Sequence, residues 1–303
     1  MSDPLARSPA LTALDLGLYG LTVFGWGTSW YAMKLQVGTV APEVSVMWRF
    51  VLAALVMFAW AALRRLPLRY PPADHARFAL LGLLLFSTNF VLFYHGARWL
   101  PSGLLSVIFS LSSVGNVLLA AALFGTRIEA KVVGGALLGA GGVALIFWPA
   151  LAGTRLDAGT AAGLALGVVG TVSFCLGNMV SARLQQYRVP VIAATAWGMA
   201  YGVLLLAAAS LVAGHSFAID LSPAYVGSML WLVGPSSVLA FAAYLTLLGR
   251  IGPARAGYVT VLFPLVALAV STAVEAYVWT LPAIAGVVLV LGGNLLVLTS
   301  RRG

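Results

Sequence analysis

The chain has 303 residues, of which 61% are hydrophobic and only 8% are charged. A soluble domain of this length needs far more charged residues to cover its surface, so the composition excludes an ordinary soluble protein. The net charge of +9 would indicate a nucleic-acid ligand in a soluble protein. Here we attribute the charge to membrane topology and expect no nucleic-acid partner.

The apolar residues lie in ten blocks along the chain, and each block is long enough for a helix to cross a lipid bilayer, which takes ~20 residues. Backbone polar groups must be paired inside the hydrocarbon, so we predict an all-α membrane protein with ten transmembrane helices. A tail over residues 1–12 precedes the first helix. The predicted spans are 13–33, 45–63, 78–97, 102–124, 131–149, 159–182, 190–212, 225–248, 254–274 and 280–299.

The Lys and Arg residues predict the orientation of these spans. If the N-terminal tail is cytoplasmic, four of the 17 basic residues fall on the other side of the membrane, and the remaining thirteen are cytoplasmic. Those four are Lys34, Arg49, Arg98 and Arg155. Cytoplasmic segments of membrane proteins carry an excess of Lys and Arg, so we expect both termini in the cytoplasm.

The two halves of the chain resemble each other. Arg98 and Pro101 precede a predicted span in the first half, as Arg250 and Pro253 do in the second. Because each half has an odd number of spans, the second must be inverted relative to the first. We therefore predict a 5+5 inverted repeat, typical of secondary transporters, with halves at residues 13–150 and 151–303. The fifth and tenth spans also share glycines at matching positions, which are Gly135, Gly141 and Gly142, and Gly286, Gly292 and Gly293.

Several residues occur in the order found in a known transporter family. They are Gly25-Trp26-Gly27 in span one, Arg49 in span two, Pro264 within span nine and Glu275 after it. With the two glycine-rich spans, they make the sequence similar to the EamA family of the drug/metabolite transporter superfamily, and most similar to its YddG-type amino-acid exporters. The sequence departs from the family pattern at Ser112, which stands at the position matching Pro264, and at Thr126.

The resemblance implies an exporter of amino acids, aromatic or otherwise neutral, in the bacterial inner membrane, working by alternating access. It implies no enzymatic activity and no cofactor, and a monomer whose partners are the lipid bilayer and the small-molecule substrate. Another small metabolite or a drug-like cation is the alternative substrate. A membrane-embedded enzyme is the distant alternative, because it would need a catalytic cluster at membrane depth.

The acidic residues bear on energy coupling. All eight lie in predicted loops or near predicted helix ends. Ion-coupled pumps commonly place a carboxylate at mid-membrane, where it can bind and release a proton or Na⁺. We therefore expect a central uncharged cavity and a substrate that moves down its own gradient.

Polar and aromatic residues inside the spans are candidates to line that cavity, and we expect no metal site. A polar group in lipid needs a partner or water, and an aromatic face can stack on a substrate side chain. Packing between helices is the alternative for each candidate. Pro235 and Pro264 are candidate hinges, because proline removes a backbone hydrogen bond. The candidate cavity residues are Trp26, Trp30, Asn89, Tyr94, His95, Ser106, Ser110, Asn178, Tyr244 and Tyr258.

Overall fold

The computed structural model describes residues 11–38, 40–125, 128–148, 158–256 and 258–299. Most of the predicted tail, together with Thr126 and Arg155, lies outside these residues. Over the described residues the chain forms ten helices and no strand, which confirms the predicted all-α class. The helices are α1 Ala13–Lys34, α2 Pro42–Leu63, α3 Pro72–Gly96, α4 Ser102–Phe124, α5 Ala130–Ile146, α6 Ala158–Gln186, α7 Val191–Val212, α8 over residues 223–256, α9 Val259–Val274 and α10 Leu281–Leu298.

Most of these helices are built to cross a membrane. Seven of them contain an apolar stretch of sufficient length, namely α2, α3, α4, α6, α7, α8 and α10. Two more, α5 and α9, are shorter apolar helices. The chain is therefore a multi-pass membrane protein.

Predicted boundaries are wrong by more than a turn at three places, one of which is the end of α6, at Gln186 rather than at 182. Helix α3 begins at Pro72 rather than at 78, because proline is favoured in the first turn and Asp74 there bonds Arg77 at 2.6 Å. The predicted loop over 249–253 is also wrong, since α8 continues to Ala256 and α9 begins only at Val259. Alanine and arginine favour helix on both sides of Gly252 and override its turn signal.

Three helices depart from regular α geometry. Helix α3 contains a π-helical segment at Gly82–Thr88, and α8 contains one at Leu232–Leu239, which includes Pro235. Helix α4 is interrupted at Leu111, between Ser102–Ser110 and Ser112–Phe124. Such segments often occur at functional sites, because the helix there is already partly unwound. Pro264 lies inside α9, which continues through it as one helix.

Glycines allow the closest helix contact, between α5 and α10. A Cβ atom added to Gly142 would lie 2.5 Å from the carbonyl oxygen of Gly286, and a Cβ atom on Gly135 would lie 2.6 Å from that of Gly293. Only glycine permits this approach of two backbones. Elsewhere α2 packs against α7, α3 against α6, and α1 against α8 and α9.

The bundle has two ends, which we name after residues of α1. The Lys34 end contains the last turn of α1, the first turn of α2, the last turn of α3 and the residue that follows α9. The Asp15 end contains the first turn of α1 and Arg250 of α8. A helix of 22 residues is ~33 Å long, so α1 spans the distance between the two ends.

Candidate functional site

At the Lys34 end, one carboxylate joins three helices. Glu275, which caps α9, lies 2.8 Å from Nζ of Lys34 in α1. The backbone N–H of Ser102, the first residue of α4, donates to both carboxylate oxygens at 3.0 and 3.2 Å, and its hydroxyl donates as well. Burial raises the pKa of the Glu275 carboxyl, but the bonds from Lys34 and Ser102 outweigh burial and hold that pKa below its usual value. Glu275 is therefore an anion that is fixed between α1, α4 and α9 at this end.

A second carboxylate at the same end contacts two histidines. Oε1 of Glu43, in the first turn of α2, lies 2.9 Å from Nε2 of His95 in α3. Its other oxygen lies 3.6 Å from Nδ1 of His215, which follows α7. His95 is one of the predicted cavity residues, and its place beside Glu43 was missed because the two lie far apart in the sequence. The pair joins α2 to α3 at the Lys34 end.

At the Asp15 end, α1 is fixed to α8. Asp15 forms a capping box with Thr12 and accepts a bond from Nε of Arg250 at 2.5 Å. Asp15 is buried although it lies at the helix start. The pair of Asp15 and Arg250 therefore joins α1 to α8 at this end, whereas the pair of Lys34 and Glu275 joins α1 to the end of α9 at the other.

Three of the predicted residues lie together toward the Asp15 end. The Trp26 ring centroid is 5.1 Å from that of Tyr244, and both rings pack around Leu247 of α8. Tyr19 lies within electrostatic range of both Tyr244 and Tyr258. The structure thus brings predicted residues from α1, α8 and the start of α9 into one aromatic group.

Inside the bundle an aromatic layer surrounds Trp30, which is 9% exposed. Its ring lies 5.1 Å from Phe93, 5.4 Å from Phe109 and 6.5 Å from Phe263, which stacks on it. Phe174 of α6 joins the layer through Phe109 at 4.6 Å. These five rings come from α1, α3, α4, α6 and α9, and they pack together inside the bundle. The sequence indicated Trp30 but missed Phe93 and Phe263, which look like ordinary core residues in a span this apolar.

The remaining polar candidates have bonding partners inside the protein. Ser106 and Ser110 each donate to a carbonyl one turn earlier in α4. Ser110 also accepts from Asn294 of α10 at 3.0 Å, a contact between helices. Asn89 is buried and donates to Leu85 of the π-helical segment at 3.1 Å. Asn178 of α6 donates to Asn116 of α4 at 3.2 Å. A role for these residues in binding a substrate stays a prediction.

Arg49 is the residue whose sequence interpretation is wrong. We counted it with the loop charges and expected an uncharged interior, but it is only 6% exposed and lies seven residues into α2, about 10 Å along the helix. Its Nη2 donates to Ser237 in the π-helical segment of α8 at 3.3 Å. Its guanidinium carbon lies 4.6 Å from the Phe90 ring centroid and 5.5 Å from that of Phe50. The burial of Arg49 could have been predicted, because a cation inside an apolar span must face the protein interior.

Tyr94 lies beside Arg49 and is fully buried. Its hydroxyl donates to Oε1 of Gln36 at 2.7 Å and also interacts with the Arg49 guanidinium. Gln36 follows α1 and is 2% exposed. The predicted residue Tyr94 thus belongs to a buried polar group with Arg49 and Gln36, and we call these three residues the Arg49 group.

A lateral groove of about 290 Å³ lies between α4 and α6. Its lining is almost wholly apolar, includes Cys175 and contains none of the predicted cavity residues. Among the residues that the structure describes, no three His, Cys, Asp or Glu side chains form a group that could hold a metal ion.

Comparison with known proteins relates this helical bundle to a transporter family. Residues 17–148 match the model of the EamA-like transporter family. Protein PagO of Salmonella typhimurium is 35% identical over 109 residues, which cover 35% of each chain. An uncharacterized transporter of Buchnera aphidicola is 30% identical over 93 residues, 31% of each chain. A WAT1-related chloroplastic protein of Arabidopsis thaliana is 29% identical over 192 residues, 62% of this chain and 45% of that one.

These matches span less than half the length of each curated relative. A solved crystal structure superposes on 95% of this chain and 96% of its own, with a TM-score of 0.65 and 16% identity, and so shares the fold. The family model therefore shows that residues 17–148, less than half of the chain, are similar to the EamA-like transporter family.

Proposed function

We propose that the chain carries a small molecule across a membrane by alternating access and that it exports amino acids, aromatic or otherwise neutral. The observation that carries the proposal is that α1 is held by an ion pair at each end, to Glu275 at the Lys34 end and to Arg250 at the Asp15 end. Trp30, at the centre of the aromatic layer, lies between these two ion pairs along α1.

Alternating access needs two gates that open in turn. The two ion pairs join α1 to different helices, since Glu275 caps α9 and Arg250 belongs to α8. One pair can therefore separate while the other remains in contact. The π-helical segment of α8 and Pro264 of α9 lie in these two partner helices, and we propose that they act as hinges.

We further propose that the chain is an inverted repeat of residues 13–150 and 151–303. The π-helical segment of α8 begins at Leu232, 150 residues after that of α3 at Gly82, which supports the pairing of these helices. The reciprocal glycine contacts of α5 and α10 support a local two-fold relation. The family match, over residues 17–148, lies within the first proposed half.

The proposed location is a bacterial inner membrane with the Asp15 end in the cytoplasm. Once Arg49 is removed from the loop charges, thirteen basic residues stand on the proposed cytoplasmic side and three on the other, which strengthens the orientation signal. The similarity to the PagO protein of Salmonella supports a bacterial membrane. The paired carboxylates Asp15, Glu43 and Glu275 all lie at helix ends, which favours transport without a mid-membrane proton carrier.

Uptake into liposomes tests the proposal. Purified protein is reconstituted, and uptake of labelled phenylalanine, leucine and threonine is measured with and without an imposed pH gradient. We expect at least one to equilibrate across the membrane at a rate that the pH gradient does not raise. Protein-free liposomes are the control. No uptake of any neutral amino acid would contradict amino-acid export, and accumulation driven by the pH gradient would contradict the uncoupled mechanism.

A further inference from the structure

The Arg49 group contains a buried cation with unused bonding capacity. Arg49 is almost wholly removed from solvent, and its Nε is buried without a hydrogen-bond partner. Ser237 accepts one bond from Nη2, and the rings of Phe90 and Phe50 lie against the guanidinium. Among the ion pairs of the described residues, none includes Arg49.

A second unused donor lies in the same group. The Tyr94 hydroxyl donates to Oε1 of Gln36. The amide NH2 group of Gln36, at Nε2, is buried with no hydrogen-bond partner. Tyr94 also interacts with the Arg49 guanidinium. Two buried N–H donors without acceptors therefore border one phenol.

This arrangement is costly as it stands. A buried guanidinium is destabilising unless an anion compensates it, and each buried donor without an acceptor adds the cost of its lost hydration. Aromatic rings offset part of the charge by cation–π attraction but accept no conventional hydrogen bond from Nε. Nε of Arg49 and Nε2 of Gln36 both lack an acceptor, and an acceptor with negative charge would also compensate the guanidinium.

The carboxylates at the two ends of the bundle are already engaged. Glu43, on the same helix as Arg49, pairs with His95 and lies near His215. Glu275 pairs with Lys34, and Asp15 pairs with Arg250 at the other end of α1. Because these three carboxylates already have partners among the described residues, we look to a bound molecule for the missing anion.

We infer that Arg49 and Gln36 bind the carboxylate of the transported molecule. A carboxylate has two oxygens in one plane, which match the fork of N–H donors on a guanidinium, and it can also accept from the Gln36 amide. The inference rests on the proposed function and narrows its substrate to molecules with a carboxylate. It excludes a drug-like cation lacking one, because Arg49 would repel it.

The site also contacts a segment suited to movement. Ser237 accepts from Arg49 and donates to Leu232, the first residue of the π-helical segment of α8. A carboxylate that engages Arg49 would compete with Ser237 for the guanidinium. Substrate binding would thereby alter the contact between α2 and the partly unwound part of α8.

Equilibrium binding to the purified full-length protein tests the inference. The probes are L-phenylalanine, 3-phenylpropionate, which has a carboxylate and no amine, and phenethylamine, which has an amine and no carboxylate. We expect the first two to bind and phenethylamine not to bind. Arg49→Gln should weaken binding of both carboxylates by about tenfold or more, because a charged hydrogen bond is lost.

Two further variants keep the test valid if Arg49→Gln folds poorly. Gln36→Glu places a carboxylate against the Tyr94 hydroxyl, which also interacts with Arg49. We expect this variant to fold well, because the new charge compensates the buried cation, and to lose carboxylate binding by a similar factor. Arg98→Gln removes an exposed charge from the Lys34 end and should bind as the wild type does. Unchanged binding in both Arg49→Gln and Gln36→Glu, or binding of phenethylamine as tight as that of 3-phenylpropionate, would overturn the inference.

Parallel uptake measurements separate this inference from the proposed function. Uptake that Arg49→Gln and Gln36→Glu leave unchanged would overturn the carboxylate site while transport stands. If both variants lose carboxylate binding and the wild type takes up no substrate, transport is refuted and the anion site stands. A wild type that binds neither L-phenylalanine nor 3-phenylpropionate would count against the site directly.

Discussion

Lys34 and Glu275 form an ion pair at one end of the bundle, with Nζ 2.8 Å from Oε1. The side chain of Glu275 is 7% exposed and that of Lys34 is 34% exposed, so the pair lies partly out of water. The carboxylate also accepts from the N-terminus of α4 through Ser102, where the helix dipole favours an anion. One side chain thus links α1, α4 and α9.

Reversing the charges of this pair should identify it as a gate. Lys34→Glu places two carboxylates together, and Glu275→Lys places two amines together, so each should lower the free energy of unfolding by about 1–3 kcal/mol and slow transport. The double variant should recover only part of both losses, since an amine at position 275 cannot accept from the Ser102 N–H. Liposome uptake and thermal melting measure these effects. Losses that simply add in the double variant would show that the two residues do not act as a pair.

The pKa of Glu275 gives a pH dependence with a definite sign. Because the folded protein holds this pKa below its ordinary value of 4.5, the contact contributes its full stability above that pH and loses it as the pH falls through the lowered pKa. Melting temperatures between pH 7 and pH 3 check this. The difference between wild type and Glu275→Gln should be constant near neutral pH and shrink in acid. A difference that grows in acid would contradict the assigned sign.

The glycine contact between α5 and α10 predicts a contrast between two adjacent positions. A Cβ on Gly142 would lie 2.5 Å from the Gly286 carbonyl oxygen, whereas a Cβ on Gly141 would meet no atom within 4 Å. Gly142→Ala should therefore cost about 1–3 kcal/mol, because the helices must separate. Gly141→Ala should have little effect, since alanine has the higher helix propensity. Thermal melting in detergent compares them, and equal melting temperatures would contradict the packing described.

Trp30 should matter more than an exposed tryptophan of the same bundle. It contacts three rings of the aromatic layer, and truncating such a buried ring typically costs about 3–5 kcal/mol. We expect Trp30→Phe to keep the fold and reduce transport. Trp99→Phe, at a residue that is 55% exposed, is the matched control and should leave transport unchanged. Equal transport by the two variants would remove Trp30 from the transport path.

The sequence predicted the helices well, because length and apolarity are local properties of a span. Ten apolar blocks became ten helices over the described part of the chain, and the largest errors fell where a proline starts α3 and where a Gly-Pro pair lies within α8. The pairing of Glu43 with His95 and of Lys34 with Glu275 could not be predicted in this way. Each joins residues from different helices, and only the packing of those helices brings them together.

Arg49 shows the limit of counting charges. Its sign and position contributed to the orientation argument, but the residue lies among Phe90, Tyr94 and Ser237 inside the bundle. A loop charge and a buried charge look alike when they stand a few residues from a predicted helix end. Whether Arg49 is buried depends on which side of α2 faces α3 and α8, and tertiary packing sets that side.

Cross-linking the two ends of α1 tests the account most directly. The residue pairs 34 and 275, and 15 and 250, are replaced by cysteine in separate double variants and joined with a short cleavable thiol cross-linker. Cys175 is buried and serves in the unmodified chain as the background control. We predict that a cross-link at either end stops uptake into liposomes and that cleaving it restores uptake. Transport that continues with either end cross-linked would contradict alternating access through these two gates.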